Sequence, residues 1–234
     1  EHPAQPVEEG VDELLLLDGT SGRVRARRAR SDLPHGGPKS RFMASDAADL
    51  LGGGPREFLL TENANGRRLW ALREDLSDLW SIETASGLGH GDHVSACDVD
   101  GDGRDEVFAG GCLVTGDGEI AWTNDEIVRK LAVPNGGHVD SSVMGFLSGR
   151  DAPPTVHMAS SSAGHFVADA RTGETIAAHP QGHVQGMSAA RFVPGEAGLQ
   201  VASSNRWGNY GLTCVYSGDG RLLARFQPDY VTDK

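Results

Sequence analysis

Three histidines, His93, His138 and His183, recur at intervals of 45 residues. Each lies in a similar segment: His93-Val94-Ser95-Ala96, His138-Val139-Asp140-Ser141 and His183-Val184-Gln185-Gly186. Equal spacing within matching sequence marks one structural position used three times. An imidazole titrates near working pH and serves as general acid or base. Three of them at equivalent points could exchange protons with one substrate. They could also hydrogen-bond the backbone of neighbouring units, which is a packing role. Arg41, in Arg41-Phe42-Met43-Ala44, takes the same slot in an earlier copy, where a guanidinium would bind a carboxylate in bidentate fashion.

A second chemical signal is the acidic loop Asp98-Val99-Asp100-Gly101-Asp102-Gly103-Arg104-Asp105-Glu106. Acids at its first, third, fifth and ninth positions, with glycine at the sixth, match an EF-hand-like calcium loop. Asp98, Asp100, Asp102 and Glu106 would bind calcium through carboxylates, and Arg104 through its carbonyl. The loop follows the histidine strand, so it falls at the opposite end of that strand from His93. A cation there would be structural.

These residues must be positioned by a repeat. A tight turn and a short apolar strand recur in phase with the histidines: Asp18-Gly19-Thr20-Ser21-Gly22, Gly116-Asp117-Gly118, Arg171-Thr172-Gly173 and Gly218-Asp219-Gly220. Gly and Asp supply the positive φ that such hairpins need. Two further strand-like runs precede each complete copy. The predicted fold is therefore all-β, a β-propeller of four-stranded antiparallel blades. One domain spans 1–234, with full blades at 40–84, 93–123, 138–178 and 183–226 and a half blade at 11–30. Four and a half blades leave an unpaired sheet face. The reading is a fragment of a seven- or eight-bladed propeller, truncated at its N-terminus, or else a compact five-bladed ring with one thin blade. The basic run Arg23 to Arg30 reads as the solvated face of an outer strand.

Composition agrees: 234 residues, 32 glycines and 6% aromatics suit many short strands joined by tight turns. A net charge of −12 disfavours nucleic acid and anionic membranes. No apolar run approaches the roughly 20 residues of a membrane helix. A monomer is expected. Cys97, Cys112 and Cys214 read as small buried hydrophobes, with one bridge between Cys97 and Cys112 left open.

In such a blade the start of the first strand and the loop after the second share one face near the axis. That face gathers His93, His138, His183 and Arg41. Asn63 from one loop, His165 from another, and Asn205, Arg206, Trp207 and Tyr210 from the last join them. Imidazole, guanidinium and phenol together suit removal of the C5 proton of a uronic acid, which is acidic only when the neighbouring carboxylate is neutralised. Arg41 or Arg206 would neutralise it, His138 or His183 would take the proton, and Tyr210 or another histidine would protonate the leaving oxygen. His93, His165, Asn205, Arg206, Trp207 and Asn63 would bind the sugar chain.

Gly87-Leu88-Gly89-His90-Gly91-Asp92-His93-Val94-Ser95, with the acidic loop and Glu106-Val107-Phe108, resembles the rhamnogalacturonan lyase family of calcium-binding β-propellers. Gly182-His183-Val184-Gln185 and Asn205-Arg206-Trp207-Gly208-Asn209 look like repeats in bacterial lyase-like propellers. The resemblance covers residues 85–226. It implies an eight-bladed propeller, calcium, a secreted or extracytoplasmic location and β-elimination of an acidic, uronate-containing polysaccharide. The alternative is a non-catalytic carbohydrate- or protein-binding propeller with calcium-loop repeats.

Overall fold

Strand positions follow from alternation and turn chemistry. The computed structural model describes residues 13–33, 41–54, 56–63, 68–83, 93–131, 137–207 and 211–227. β1 (Glu13–Leu17) and β2 (Val24–Ala29) form a two-stranded antiparallel ribbon. Asp18 ties the turn between them, its Oδ1 accepting the N–H groups of Thr20 and Ser21 at 3.2 and 2.8 Å.

Four antiparallel sheets follow, each of four strands consecutive in sequence and in space. The first is β3 (Arg41–Ala48), β4 (Glu57–Asn63), β5 (Arg68–Leu72) and β6 (Asp78–Glu83). The second is β7 (Ser95–Cys97), β8 (Glu106–Ala109), β9 (Cys112–Val114) and β10 (Ile120–Thr123). The third is β11 (Ser141–Gly145), β12 (Thr155–Ala159), β13 (His165–Asp169) and β14 (Thr175–His179). The fourth is β15 (His183–Ala190), β16 (Gln200–Trp207), β17 (Thr213–Ser217) and β18 (Leu222–Phe226).

Burial explains the stacking. Every residue of β8, β9 and β12 is buried, so their sheets are covered on both faces, whereas the last strands alternate and face solvent. Leu14, Leu16 and Ala26 of the ribbon pack on Leu60, Trp70 and Leu72. Leu59 and Leu69 meet Val107 and Val114. Phe108 and Leu113 meet Val156, Met158 and Phe166. Each fully buried side chain of this size contributes roughly 1.5–3 kcal/mol. The first strands of successive sheets lie side by side, β3 by β7, β7 by β11 and β11 by β15.

Inter-sheet hydrogen bonds recur at the hairpin turns. Trp80 Nε1 donates to Gly116 O at 2.8 Å, and Trp122 Nε1 to Ala170 O at 3.0 Å. The turn glycines permit this approach. A Cβ at Gly118, where φ is +84°, would sit 2.7 Å from the Trp80 ring, and one at Gly173 would sit 2.5 Å from Trp122. On β2, Arg27 pairs with Glu13 and Arg28 with Asp78, at 3.0 and 2.7 Å. The three cysteines are free thiols, so Cys97 and Cys112 form no bridge.

One element was not expected from sequence. A short helix, α1 (Asp125–Leu131), joins the second and third sheets. Asn124 Oδ1 caps it by accepting Ile127 N–H at 2.9 Å, acids lead its first turn and bases close its last. Ile127 and Leu131 bury its apolar side.

Candidate functional site

The valine after each phased histidine is buried, with Val94 at 7%, Val139 at 0% and Val184 at 0% exposure. Neighbouring side chains on extended backbone point to opposite faces, so each valine in the core turns its histidine outward. Two of the histidines then meet. His138 Nε2 lies 3.1 Å from Asp140 Oδ1, and His183 Nε2 lies 3.9 Å from Asp140 Oδ2. The Asp140 side chain is 4% exposed, while those of His138 and His183 are 22% and 20% exposed. The carboxylate is thus inside the seam between the third and fourth sheets, and the two rings reach its rim.

A buried carboxylate requires donors. Gln185 Nε2 donates to Asp140 Oδ1 at 3.2 Å, and Ser161 Oγ donates to Oδ2. Ser161 also knits the seam. Its Oγ accepts His138 N–H at 3.0 Å, and its carbonyl accepts Val184 N–H at 3.0 Å. Ser161 holds φ at +43°, an uncommon value for a residue with a Cβ. Ser162 Oγ lies 3.3 Å from His183 Nδ1. Arg206 NH1 donates to Gln185 Oε1 at 3.3 Å, which carries the cluster out to an exposed guanidinium. The result is a carboxylate-backed imidazole pair with a cation beside it, a set able to transfer protons next to an anion.

Of the residues expected at the site, His138, His183 and Arg206 come together, and Asp140 and Gln185 link them. The sequence signal for Asp140 is its phase: Ser95, Asp140 and Gln185 all stand two residues after a phased histidine. In the second copy this position serves packing, with Ser95 Oγ 2.6 Å from Ser142 Oγ. His93 is exposed ahead of β7. Arg41 and Asn63 pair across β3 and β4, but their side chains, the Trp207 side chain and Tyr210 lie outside the described residues.

His165 and Asn205 correct the expectation of sugar binding. His165 is fully buried, its two ring nitrogens on His157 and Ser203. Asn205 is 5% exposed and its Nδ2 donates to Gln181 O at 3.0 Å. Both are buried on strands, His165 against Ser203 of the fourth sheet and Asn205 against the segment leading into β15, and not in a loop open to ligand.

In the acidic loop, Asp98, Asp100 and Glu106 converge, each offering an oxygen within 4.8 Å of the others. Asp98 accepts the N–H groups of Gly101 and Gly103 at 2.6 and 3.0 Å. Asp102 is outside that convergent group, and its Oδ1 accepts Arg104 N–H at 2.8 Å. The Arg104 side chain turns away to Leu50 O and Asp117. Burial pushes the Glu106 carboxyl up to about 7, and Asp100, Asp102 and Asp98 add to this. An all-oxygen donor set with crowded negative charge fits a hard cation such as calcium. Glu106 also does structural work, accepting Val99 N–H at 3.0 Å. Glu57 and Gln200 do the same for the N–H groups seven residues before them, Leu50 and Val193, at 2.9 and 3.0 Å. A neutral glutamine suffices for this brace, so the bracing alone does not require the charge on Glu106.

No known family model and no curated protein matches the sequence. Solved structures do. An exotype rhamnogalacturonan lyase, YesX, superposes with a TM-score of 0.67 and 23% identity, over 91% of this chain and 37% of that one. Rhamnogalacturonan lyase PL11 of Bacillus licheniformis gives 0.64 and 22%, over 93% and 38%. BamB from Moraxella catarrhalis gives 0.55 and 15%, over 94% and 60%. The chain spans little more than a third of the lyases it matches. The relationship is distant and structural, and at these identities it is one of fold.

Proposed function

We propose that the seam cluster is the catalytic centre of a polysaccharide lyase that cleaves a uronate-containing, rhamnogalacturonan-type polymer by β-elimination. The fold is a β-propeller to which this chain contributes four blades and the outer two strands of another. The observation that carries the reading is the convergence of His138 and His183 on one buried carboxylate, with Arg206 attached through Gln185. Adjacent first strands in consecutive sheets and the likeness in fold to the lyases and to BamB support it as well.

The chemistry is as follows. Arg206 pairs with the uronate carboxylate and withdraws its charge, which makes the C5 proton removable. His138, whose Nε2 lies 3.1 Å from Asp140 Oδ1, takes that proton on Nδ1. Asp140 keeps the tautomer and offsets the charge of the imidazolium that forms. The C5–H electrons become the C4–C5 double bond, and the C4–O bond breaks. The leaving oxygen is protonated by His183 or Tyr210. Arg41, His93, Asn63 and Trp207 are the further residues assigned to contact with the polymer. Asp98, Asp100 and Glu106, whose oxygens converge, would hold calcium with Asp102 and the Arg104 carbonyl completing the shell, and the ion would supply neutralising charge to the loop beyond the far end of β7. The protein works as an extracytoplasmic monomer on an acidic polysaccharide.

The test is release of unsaturated uronate, read by its absorbance, from pectic and ulvan-type polymers in the presence of calcium. The reading expects product from the wild-type chain and its loss in His138→Ala and His183→Ala at unchanged fold. Binding of polymer with no new double bond would instead identify a non-catalytic carbohydrate-binding propeller.

A further inference from the structure

Among the described residues, the two fully buried histidines lie at the centre of the seam between the third and fourth sheets. His157 on β12 and His165 on β13 are both fully buried. Their rings meet with His157 Nδ1 3.0 Å from His165 Nε2. On one side His157 Nε2 lies 3.1 Å from Gly218 O. On the other, His165 Nδ1 lies 3.1 Å from Ser203 Oγ, which lies 2.9 Å from Gln181 Oε1. The Gln181 amide has one orientation, because its Nε2 donates to the carbonyls of Ser203 and Leu212, both at 3.1 Å. Its Oε1 also accepts the Tyr216 hydroxyl at 3.0 Å. Both ends of the chain of contacts are therefore oxygen acceptors.

Four links need four hydrogens. Neutral His157, neutral His165 and Ser203 bring one each. The chain is one proton short. Whichever tautomers the two rings take and whichever way the Ser203 hydroxyl turns, one of the four contacts is left as two facing lone pairs. An unmade buried hydrogen bond is unfavourable. A doubly protonated His165 removes the conflict: it donates to His157 Nδ1 and to Ser203, and Ser203 then donates to Gln181. The Tyr216 ring stacks on His165 with centroids 4.1 Å apart, where a π face favours a cation.

We propose that the His157–His165 pair is a buried proton-binding site, in which one proton taken from solvent makes His165 a fully hydrogen-bonded cation between the third and fourth sheets.

Burial works against uptake, holding His157 down to about 4 and His165 well below the usual imidazole range. Few charges face the pair. Asp219, in the turn after β17, favours the proton, and His179 on β14 opposes it while donating Nε2–H to Gly220 O at 2.8 Å. Tyr216 and Cys214 lie on β17, with Arg225 of β18 acting on Tyr216. The completed hydrogen bonds offset part of the desolvation, and uptake falls below histidine's ordinary range. The folded pair titrates below its unfolded value. Stability from the neutral pair is therefore complete above 6.5 and is lost as pH falls through the folded value.

The experiment is a count of N–H groups on His157 and His165 by imidazole ¹H–¹⁵N spectra of the full chain across the histidine titration range. The expected result is one ring gaining a second N–H while the backbone spectrum stays folded. Ser203→Ala, which removes the acceptor of that N–H, should lower the midpoint by at least about one pH unit, a tenfold loss of proton affinity. Ser203→Thr should restore it. Rings that stay singly protonated until unfolding, or a midpoint unmoved in Ser203→Ala, overturn the proposal. Should Ser203→Ala not fold, the wild-type count decides alone.

Discussion

Two histidine pairs occupy the same seam in opposite surroundings. His138 and His183 lean on the Asp140 carboxylate and keep about a fifth of their side chains exposed, at 22% and 20%. His157 and His165 have a carbonyl and a hydroxyl as partners and are 0% exposed. Beside a carboxylate, an imidazolium is paired. Among neutral dipoles out of water, it carries a desolvation penalty that only complete hydrogen bonding reduces. The rim pair is therefore suited to trading protons with a ligand, and the inner pair to holding two sheets together and responding to acid. Residue type is the same in both. Partner charge and access to water set the role.

The sharpest way to break this comparison is His138→Ala. Loss of a general base should lower the rate of unsaturated-uronate release by about 10²–10⁴-fold with the fold retained. A full rate in that variant would place the chemistry elsewhere. Asp140→Asn keeps shape but removes the charge that distinguishes the rim pair. Steady-state assays should find activity about 10–100-fold lower, matching one charged hydrogen bond of roughly 1.5–3 kcal/mol.

Calcium removal separates the far end of the sheets from both pairs. Glu106 is pushed up to about 7 from 4.5, so in chelated protein its stability contribution is present below 4.5 and lost as pH rises through 7. A calcium ion bound there would replace the proton. Thermal melts above neutrality should drop on the order of 5 °C with chelator and recover with calcium, and the difference should shrink in mild acid. The smallest effect sharpens the inner pair. Tyr216→Phe deletes the hydroxyl that reaches Gln181 and should lower Tm by about 2–4 °C, with the elimination rate unchanged.

Much of the sheet structure could be read in advance because turns leave chemical marks. Gly118 and Gly173 combine positive φ with a neighbouring tryptophan that no Cβ could tolerate, so glycine recurs in phase with the strands. Helix α1 left no such mark, since seven residues from Asp125 to Leu131 are too few for a periodic signal. His165 and Asn205 read as loop residues in the sequence, yet they sit buried on β13 and β16. His157 lies within the apolar run of β12, where nothing along the chain announces a partner on Gly218. Asp140 stands two residues after His138 in sequence, but its burial and its four polar neighbours arise from two sheets meeting.

The chain alone determined the 45-residue period, the turns and the acid spacing of the Asp98 loop. Each depends on residues close in sequence, where backbone geometry and side-chain reach are local matters. Only the packed structure decided which imidazole meets a carboxylate and which meets a carbonyl. Alternation along a strand selects a face, but the group across the seam belongs to a different sheet, and its identity follows from how whole faces stack.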